Sequence, residues 1–174
     1  LDQTRRDEEF RQYVLHRRTE LLRTATLLAA GDRHLGEDLV QVTLTRLYLA
    51  WPRVRPQTRD AYVHRSLVNA AIDEGRRRKR RPEIPTDTMP DRPAPELPDM
   101  LTDGPLRDAL GELPGRMRAA VVLVHWLDLD AEAAAAALGC RVGTVKSQAS
   151  RGVAKLRALL DTSAYPASTS GSIQ

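Results

Sequence analysis

Along roughly the first eighty positions, apolar residues recur at intervals of three, four and seven, the period of helices with one buried face. Phe10, Val14, Leu21, Ala25 and Leu28 form one stripe and predict a helix over about 5–29, stopped by Gly31. A second helix is expected to begin near Leu35 or Gly36, with Leu39, Val42, Leu47 and Trp51 on its inner side and Pro52 closing it. The third runs over about 58–80. It places Ala61, Leu67 or Val68, Ala71 and Ile72 inward, while Arg65, Asn69, Asp73 and Arg76 lie on or near another face. Together the stripes describe a three-helix core.

The helical period then stops. Seven of the eleven prolines fall between Pro82 and Pro105, and proline both removes a backbone donor and biases its predecessor toward extended geometry. Acidic and poor in large apolar groups, this stretch reads as a linker with little to bury. Helical patterns resume over 105–113, 114–127, 130–138 and 141–160, with Pro105 and Pro114 suited to helix starts. Aromatic residues make up 4% of the chain, and no alternating Val/Ile/Thr run bounded by turn residues predicts a strand. The expected fold class is all-α, with two helical domains at 5–81 and 104–161, a linker at 82–103, and a disordered tail rich in Ser, Thr and Ala at 162–174.

Charge sharpens this division. The 174 residues carry 27 Lys plus Arg against 23 Asp plus Glu, a formal charge of +4. Residues 1–81 hold 18 basic and 11 acidic side chains, residues 82–103 hold 1 and 6, and residues 104–174 hold 8 and 6. Two basic modules flanking an acidic strip point to polyanionic partners. The longest apolar stretches, such as 119–124, fall far short of the roughly 20 residues of a membrane span, so no membrane insertion is expected. Residues 1–10 lack the apolar core of a signal peptide, and a cytoplasmic location is the expectation. One cysteine, Cys140, excludes an internal disulfide, and four scattered histidines form no zinc pair. No nucleophile-base pair or phosphate-binding glycine loop is visible. The chain is expected not to be an enzyme and to need no cofactor.

Three local patterns carry chemistry. Residues 130–160 read as a helix-turn-helix: a short Ala-rich helix, a turn at Leu138-Gly139-Cys140, and a longer helix seated by Val142, Val145 and Val153. Gly139 suits the positive φ of that turn. Small polar and basic side chains near the start of the second helix, Lys146, Ser147, Gln148, Ser150 and Arg151, have the size and donors to enter a major groove. The second pattern is the six-cation run Arg76 to Arg81. It gains when a polyanion releases its counterions, and it adjoins Arg65, Asn69 and Asp73 on the same helix. The third is Gly36-Glu37-Asp38-Leu39-Val40-Gln41, whose acidic residues, taken singly, read as compensating a helix dipole in its first turn.

In series, these patterns resemble the extracytoplasmic-function (ECF, group 4) sigma factors of bacterial RNA polymerase, over about 8–160. GDRHLGEDLVQVTLTRLYLAW resembles regions 2.1–2.2 of the family, AYVHRSLVNAAIDEGRRRKR regions 2.3–2.4, and LPGRMRAAVVLVHWLDLDAEAAAAALGCRVGTVKSQASRGVAKLR region 4. The spellings are nearest an actinobacterial subfamily. The resemblance implies that Asp38, Leu39, Gln41 and Val42 dock on the β′ clamp helices of core polymerase, with region 4 toward the β flap. It implies that Arg65, Asn69, Asp73, Arg76 and Arg77 bind and open the −10 element. Lys146, Ser147, Ser150 and Arg151 match positions facing the −35 element, with Arg141 and Thr144 near its phosphates. The acidic linker would thread toward the RNA exit path. Many members are held by an anti-sigma protein, which makes one a candidate partner here.

The sequence also departs from the family pattern. Val42 stands where Glu is usual, Leu44 where Phe is frequent, Ala134 to Ala137 where larger Ile and Glu are common, and Gln148 where Arg is frequent. The alternative reading is a helix-turn-helix regulator that acts on DNA without core polymerase.

Overall fold

The computed structural model describes residues 2–80 and 104–164, and every regular element among them is helical. The expected linker, the tail from residue 165 and Arg81, last of the cationic run, lie outside the described residues.

Helix α1 (Asp2–Leu28) ends where the Gly31 amide donates to the Thr26 carbonyl at 2.8 Å and the Ala30 amide to Leu27 at 3.1 Å. The reversal was expected at Gly31 alone. Both Gly31 (φ +81) and Ala30 (φ +55) adopt positive φ, so a residue with a Cβ shares the bend. Asp32 follows at once as the N-cap of α2 (Arg33–Ala50), its carboxylate accepting the Leu35 amide at 2.9 Å. The cap starts α2 two residues earlier than the apolar period indicated. Glu37 and Asp38 therefore lie past the first turn, and dipole compensation is not their role.

Gly36 sets how closely α1 and α2 approach. A Cβ there would lie 2.9 Å from Thr26 Oγ1 and 3.1 Å from the Thr26 amide nitrogen. After α2, a single 3₁₀ turn at Pro56–Thr58 leads into α3 (Arg59–Arg80). The three helices enclose Leu21, Ala25, Leu28, Leu39, Leu47, Trp51, Val63, Leu67 and Val68, all 5% exposed or less. Two inward expectations fail. Val42 is 42% exposed, and Ala61 is exposed while Val63, two positions on, is fully buried. Packing of α2 against both neighbours selects the 36, 39, 40, 43, 47 stripe, which leaves Val42 on the outer side. Trp51 meets the rings of Phe10 and Tyr13 edge-on, at 5.2 and 5.5 Å, and carries the Arg59 guanidinium 3.7 Å above it.

The second domain comprises α4 (Pro105–Gly111), α5 (Gly115–Val121), α6 (Ala131–Leu138) and α7 (Val142–Ala164). Residues 114–127, expected as one helix, divide into α5 and a π-helical turn over Val122–Trp126. The Leu127 amide reaches back five residues to Val122, and Leu129 reaches Leu123. This widening, with Asp128 at φ +51, turns the chain toward Asp130, which caps α6 by accepting the Ala133 amide at 2.7 Å. Gly139 has the expected left-handed conformation (φ +61), and Cys140 donates to the Ala135 carbonyl.

The domains are not separate in space. Helix α6, and to a lesser extent α5, packs on α3, and the π-helical turn packs on α1. No helix among the described residues is long and apolar enough to cross a membrane.

Candidate nucleic-acid and protein interfaces

Helix α7 is fixed from beneath by Val145 and Ala149, with Val142 and Val153 half-buried beside them. Its approach to α5 depends on Gly152. A Cβ at that position would sit inside the contact radius of Val121 Cγ2 and 3.1 Å from Met117 Cγ. The Arg141 carbonyl accepts the Thr144 and Val145 amides and so starts the helix. With the inner face committed, Arg141, Thr144, Lys146, Ser150 and Arg151 are exposed, and Ser147 and Gln148 are half-buried. These residues project from the first half of α7, where short polar and cationic side chains can meet base edges and phosphates. Lys155 differs: its Nζ donates to the Glu112 carbonyl at 2.7 Å and ties α7 to the end of α4.

On α3, Arg65, Asn69, Asp73, Arg76 and Arg77 are all exposed. Their spacing makes an outer stripe on a helix whose inner side is held by Val63, Leu67 and Ala70. The cationic run is not uniform. Arg76 lies 3.9 Å from Asp73, Arg77 lies 3.5 Å from Glu74, and Arg78 bridges Glu74 at 3.4 Å and Asp32 at 3.2 Å. The exposed within-helix pairs are weak and leave Arg76 and Arg77 able to exchange partners. Arg78, by contrast, links the end of α3 to the α1–α2 turn, a structural role that the sequence did not separate from its neighbours. Lys79 and Arg80 make no ion pair among the described residues.

The outer face of α2 presents Asp38, Gln41 and Val42, whereas Leu39, grouped with them from the sequence, is 4% exposed and belongs to the core. The face extends further than expected. Thr45 is exposed and Leu49 is 70% exposed, so residues 38, 42, 45 and 49 form one stripe that ends in an unburied leucine. The helical spacing from Val42 would have found Leu49 had Val42 been read as facing outward.

A polar cluster joins α1 to α3. The Tyr13 hydroxyl donates to Asp60 at 2.8 Å, and Arg17 pairs with both Asp60 and Glu20. Burial and the Asp60 carboxylate push the Tyr13 hydroxyl pKa upward. His64, one turn from Asp60, is held below its ordinary value chiefly by burial, with Arg17 acting in the same sense and Asp60 and Glu20 opposing. Nothing in the sequence pattern marked this cluster. Among the described residues, no group of three or more His, Cys, Asp or Glu side chains is placed to hold a metal ion.

Comparison with known proteins gives these surfaces a context. Residues 13–81 match the family model described as sigma-70 region 2, and residues 103–156 match sigma-70, region 4. The chain is 38% identical to the RNA polymerase sigma-E factor of Streptomyces coelicolor, across 86% of this chain and 84% of that protein. It is 36% identical to the ECF RNA polymerase sigma factor SigE of Mycolicibacterium smegmatis, across 74% of this chain and 52% of that protein. Among solved structures, it resembles the sigma factor RpoE in complex with the anti-sigma factor NepR from Bartonella quintana. The TM-score is 0.71 at 27% identity, covering 88% of this chain and 98% of that one. It also resembles CnrH in complex with the cytosolic domain of CnrY, with a TM-score of 0.65 at 25% identity and 90% coverage of each chain.

Proposed function

The chain belongs to the ECF sigma factors, the non-catalytic subunits that direct promoter recognition and transcription initiation with RNA polymerase, and from that premise we propose how its surfaces divide the task. Helix α7 reads the −35 element in the major groove through Lys146, Ser147, Ser150 and Arg151, while Arg141 and Thr144 hold the adjoining phosphates. Helix α3 engages the −10 element through Arg65, Asn69 and Asp73, with Arg76 and Arg77 on its backbone. The outer face of α2 binds core polymerase. There Asp38 and Gln41 supply polar contacts, Val42 and Leu49 supply apolar area, and Leu39 braces them from the core.

The observation that carries this reading is the division of exposure on α3. The helix buries Val63, Leu67 and Val68 yet leaves Arg65, Asn69, Asp73, Arg76 and Arg77 exposed as one stripe. In this reading the chain works in the cytoplasm, with core polymerase and promoter DNA as partners. An anti-sigma protein is a further partner by analogy with the solved complex of RpoE and the anti-sigma factor NepR.

A gel shift on promoter DNA, with and without core polymerase, separates this reading from an independent DNA-binding regulator. Specific binding should require core enzyme. Lys146→Ala and Arg151→Ala should each cost about 1–3 kcal/mol and relax preference at −35 base pairs. Tight specific binding by the chain alone would favour the regulator, and uniform weakening on all sequences would remove α7 as the reader.

A further inference from the structure

The chain between α2 and α3 reads Trp51-Pro52-Arg53-Val54-Arg55-Pro56, two cations set between two prolines that restrict the backbone. Neither the exposed stripe of α3 nor the outer face of α2 includes this segment. Together with the start of α1 and the first residue of α3, it encloses a cavity of about 520 Å³, the size that holds a whole small molecule. Five arginines line it, Arg5, Arg6, Arg53, Arg55 and Arg59, against one acidic residue, Glu9, among the described residues. None of Arg65, Asn69, Asp73, Arg76 and Arg77 reaches it, so the cavity is separate from the surface proposed to meet the −10 element.

The cations are poorly compensated. Arg53 and Arg55 are exposed and form no ion pair among the described residues. Arg5 meets Glu9 at 3.1 Å, but both side chains lie in solvent, where such a pair contributes little and exchanges readily. Arg59 is placed in advance, its guanidinium 3.7 Å over the Trp51 ring. Two lining residues also hold buried donors without an acceptor, Arg59 at Nε and Trp51, 3% exposed, at Nε1. Acceptors are scarce on this side of the fold, and each unmade bond is costly.

We propose that this cavity binds the phosphate chain of a nucleoside di- or triphosphate. Guanidinium forks take phosphate oxygens in pairs, and a chain carrying several charges engages several arginines at once, which a single carboxylate cannot do. A nucleic-acid strand, with one charge per nucleotide, brings fewer charges into the same volume. The base has little to stack on, because Trp51, the one aromatic residue in the lining, is buried and carries Arg59 over its ring. Selection is therefore by the length of the phosphate chain and not by the base. Bound there, the phosphates join the start of α1 to the α2–α3 connection. Binding needs neither promoter DNA nor core polymerase, so the site stands or falls apart from the sigma reading.

Isothermal titration calorimetry of the full chain at low salt tests the site with ATP, GTP, inorganic triphosphate and inorganic phosphate. The three triphosphates should bind within about threefold of one another, and phosphate at least about tenfold more weakly. Arg53→Ala/Arg55→Ala should weaken ATP at least about tenfold through lost charge-assisted contacts. Arg76→Ala/Arg77→Ala, outside the cavity, should leave ATP binding unchanged. No binding by the wild type would overturn the site, and so would equal loss in both double variants, which reduces it to general attraction by a basic chain. Binding of inorganic triphosphate alone would exclude the nucleotide. Displacement of ATP by a single-stranded oligonucleotide at equal charge concentration would assign the cavity to nucleic acid and overturn the proposal as well. Should the Arg53/Arg55 variant fail to fold, Trp126→Phe leaves Trp51 as the sole tryptophan. Its emission should change as inorganic triphosphate is added, because Arg59 lies over its ring, and an unchanged emission would overturn the site.

Discussion

Gly152 shows how a single missing side chain positions α7 against α5. Its α-hydrogen faces Val121 and Met117 of α5, and Val121, branched and stiff at χ1, crowds the place of a methyl group. Gly152→Ala should therefore cost about 1–3 kcal/mol through overpacking, despite the better helix propensity of alanine. Thermal unfolding will measure it. A rise in Tm would show that α5 and α7 have slack. At His64 the consequence is pH dependence. Burial and Arg17 favour the neutral imidazole over the opposing pull of Asp60 and Glu20, so the folded value lies below the unfolded one near 6.5. The stability this contributes is complete above about pH 6.5 and is lost as the pH falls from there through the folded value. Melting temperatures taken from about pH 8 to 5 should fall on the acid side, and more gently for His64→Gln. Parallel curves for the two proteins would remove His64 from the account.

Each element pairs a committed face with a free one, and on α3 the free face ends in cations of two kinds. Arg76 and Arg77 have only weak partners within the helix, whereas Arg78 also secures the Asp32 turn. Arg76→Ala with Arg77→Ala should reduce promoter binding and lower the log–log salt slope by about 2, one released phosphate contact for each arginine. Arg78→Ala should instead lower stability with a smaller effect on the slope. An unchanged slope in the double variant would leave the pair without a phosphate role. The helices themselves were legible because each shows a strong apolar period, and the helix-turn-helix because Gly139 supplies the left-handed turn. Less legible were features set by neighbours. Val42 has the apolar character of the core but lies off the stripe that α1 and α3 jointly cover. The π-helical turn breaks a sequence with no proline or glycine to mark it, and Ala30 shares a reversal that residue preference assigns to Gly31.

At the scale of the molecule, the sequence divides into two modules, but it does not indicate that they touch. Charge separates 1–81 from 104–174 across an acidic strip, whereas the docking uses alanines and leucines that also serve the core of the second domain. A face whose apolar residues are shared between a domain core and a contact with its neighbour carries no periodicity of its own. The +4 total is thus the sum of regions with opposite charge balance, and the two basic domains lie against each other. Run-off transcription decides whether this chain confers promoter-specific initiation on core polymerase. With core enzyme and a promoter selected from genomic DNA, the wild type should give a discrete transcript, lost when Asn69 and Lys146 are replaced by alanine. No initiation on any selected promoter, or a transcript indifferent to both substitutions, would contradict the account.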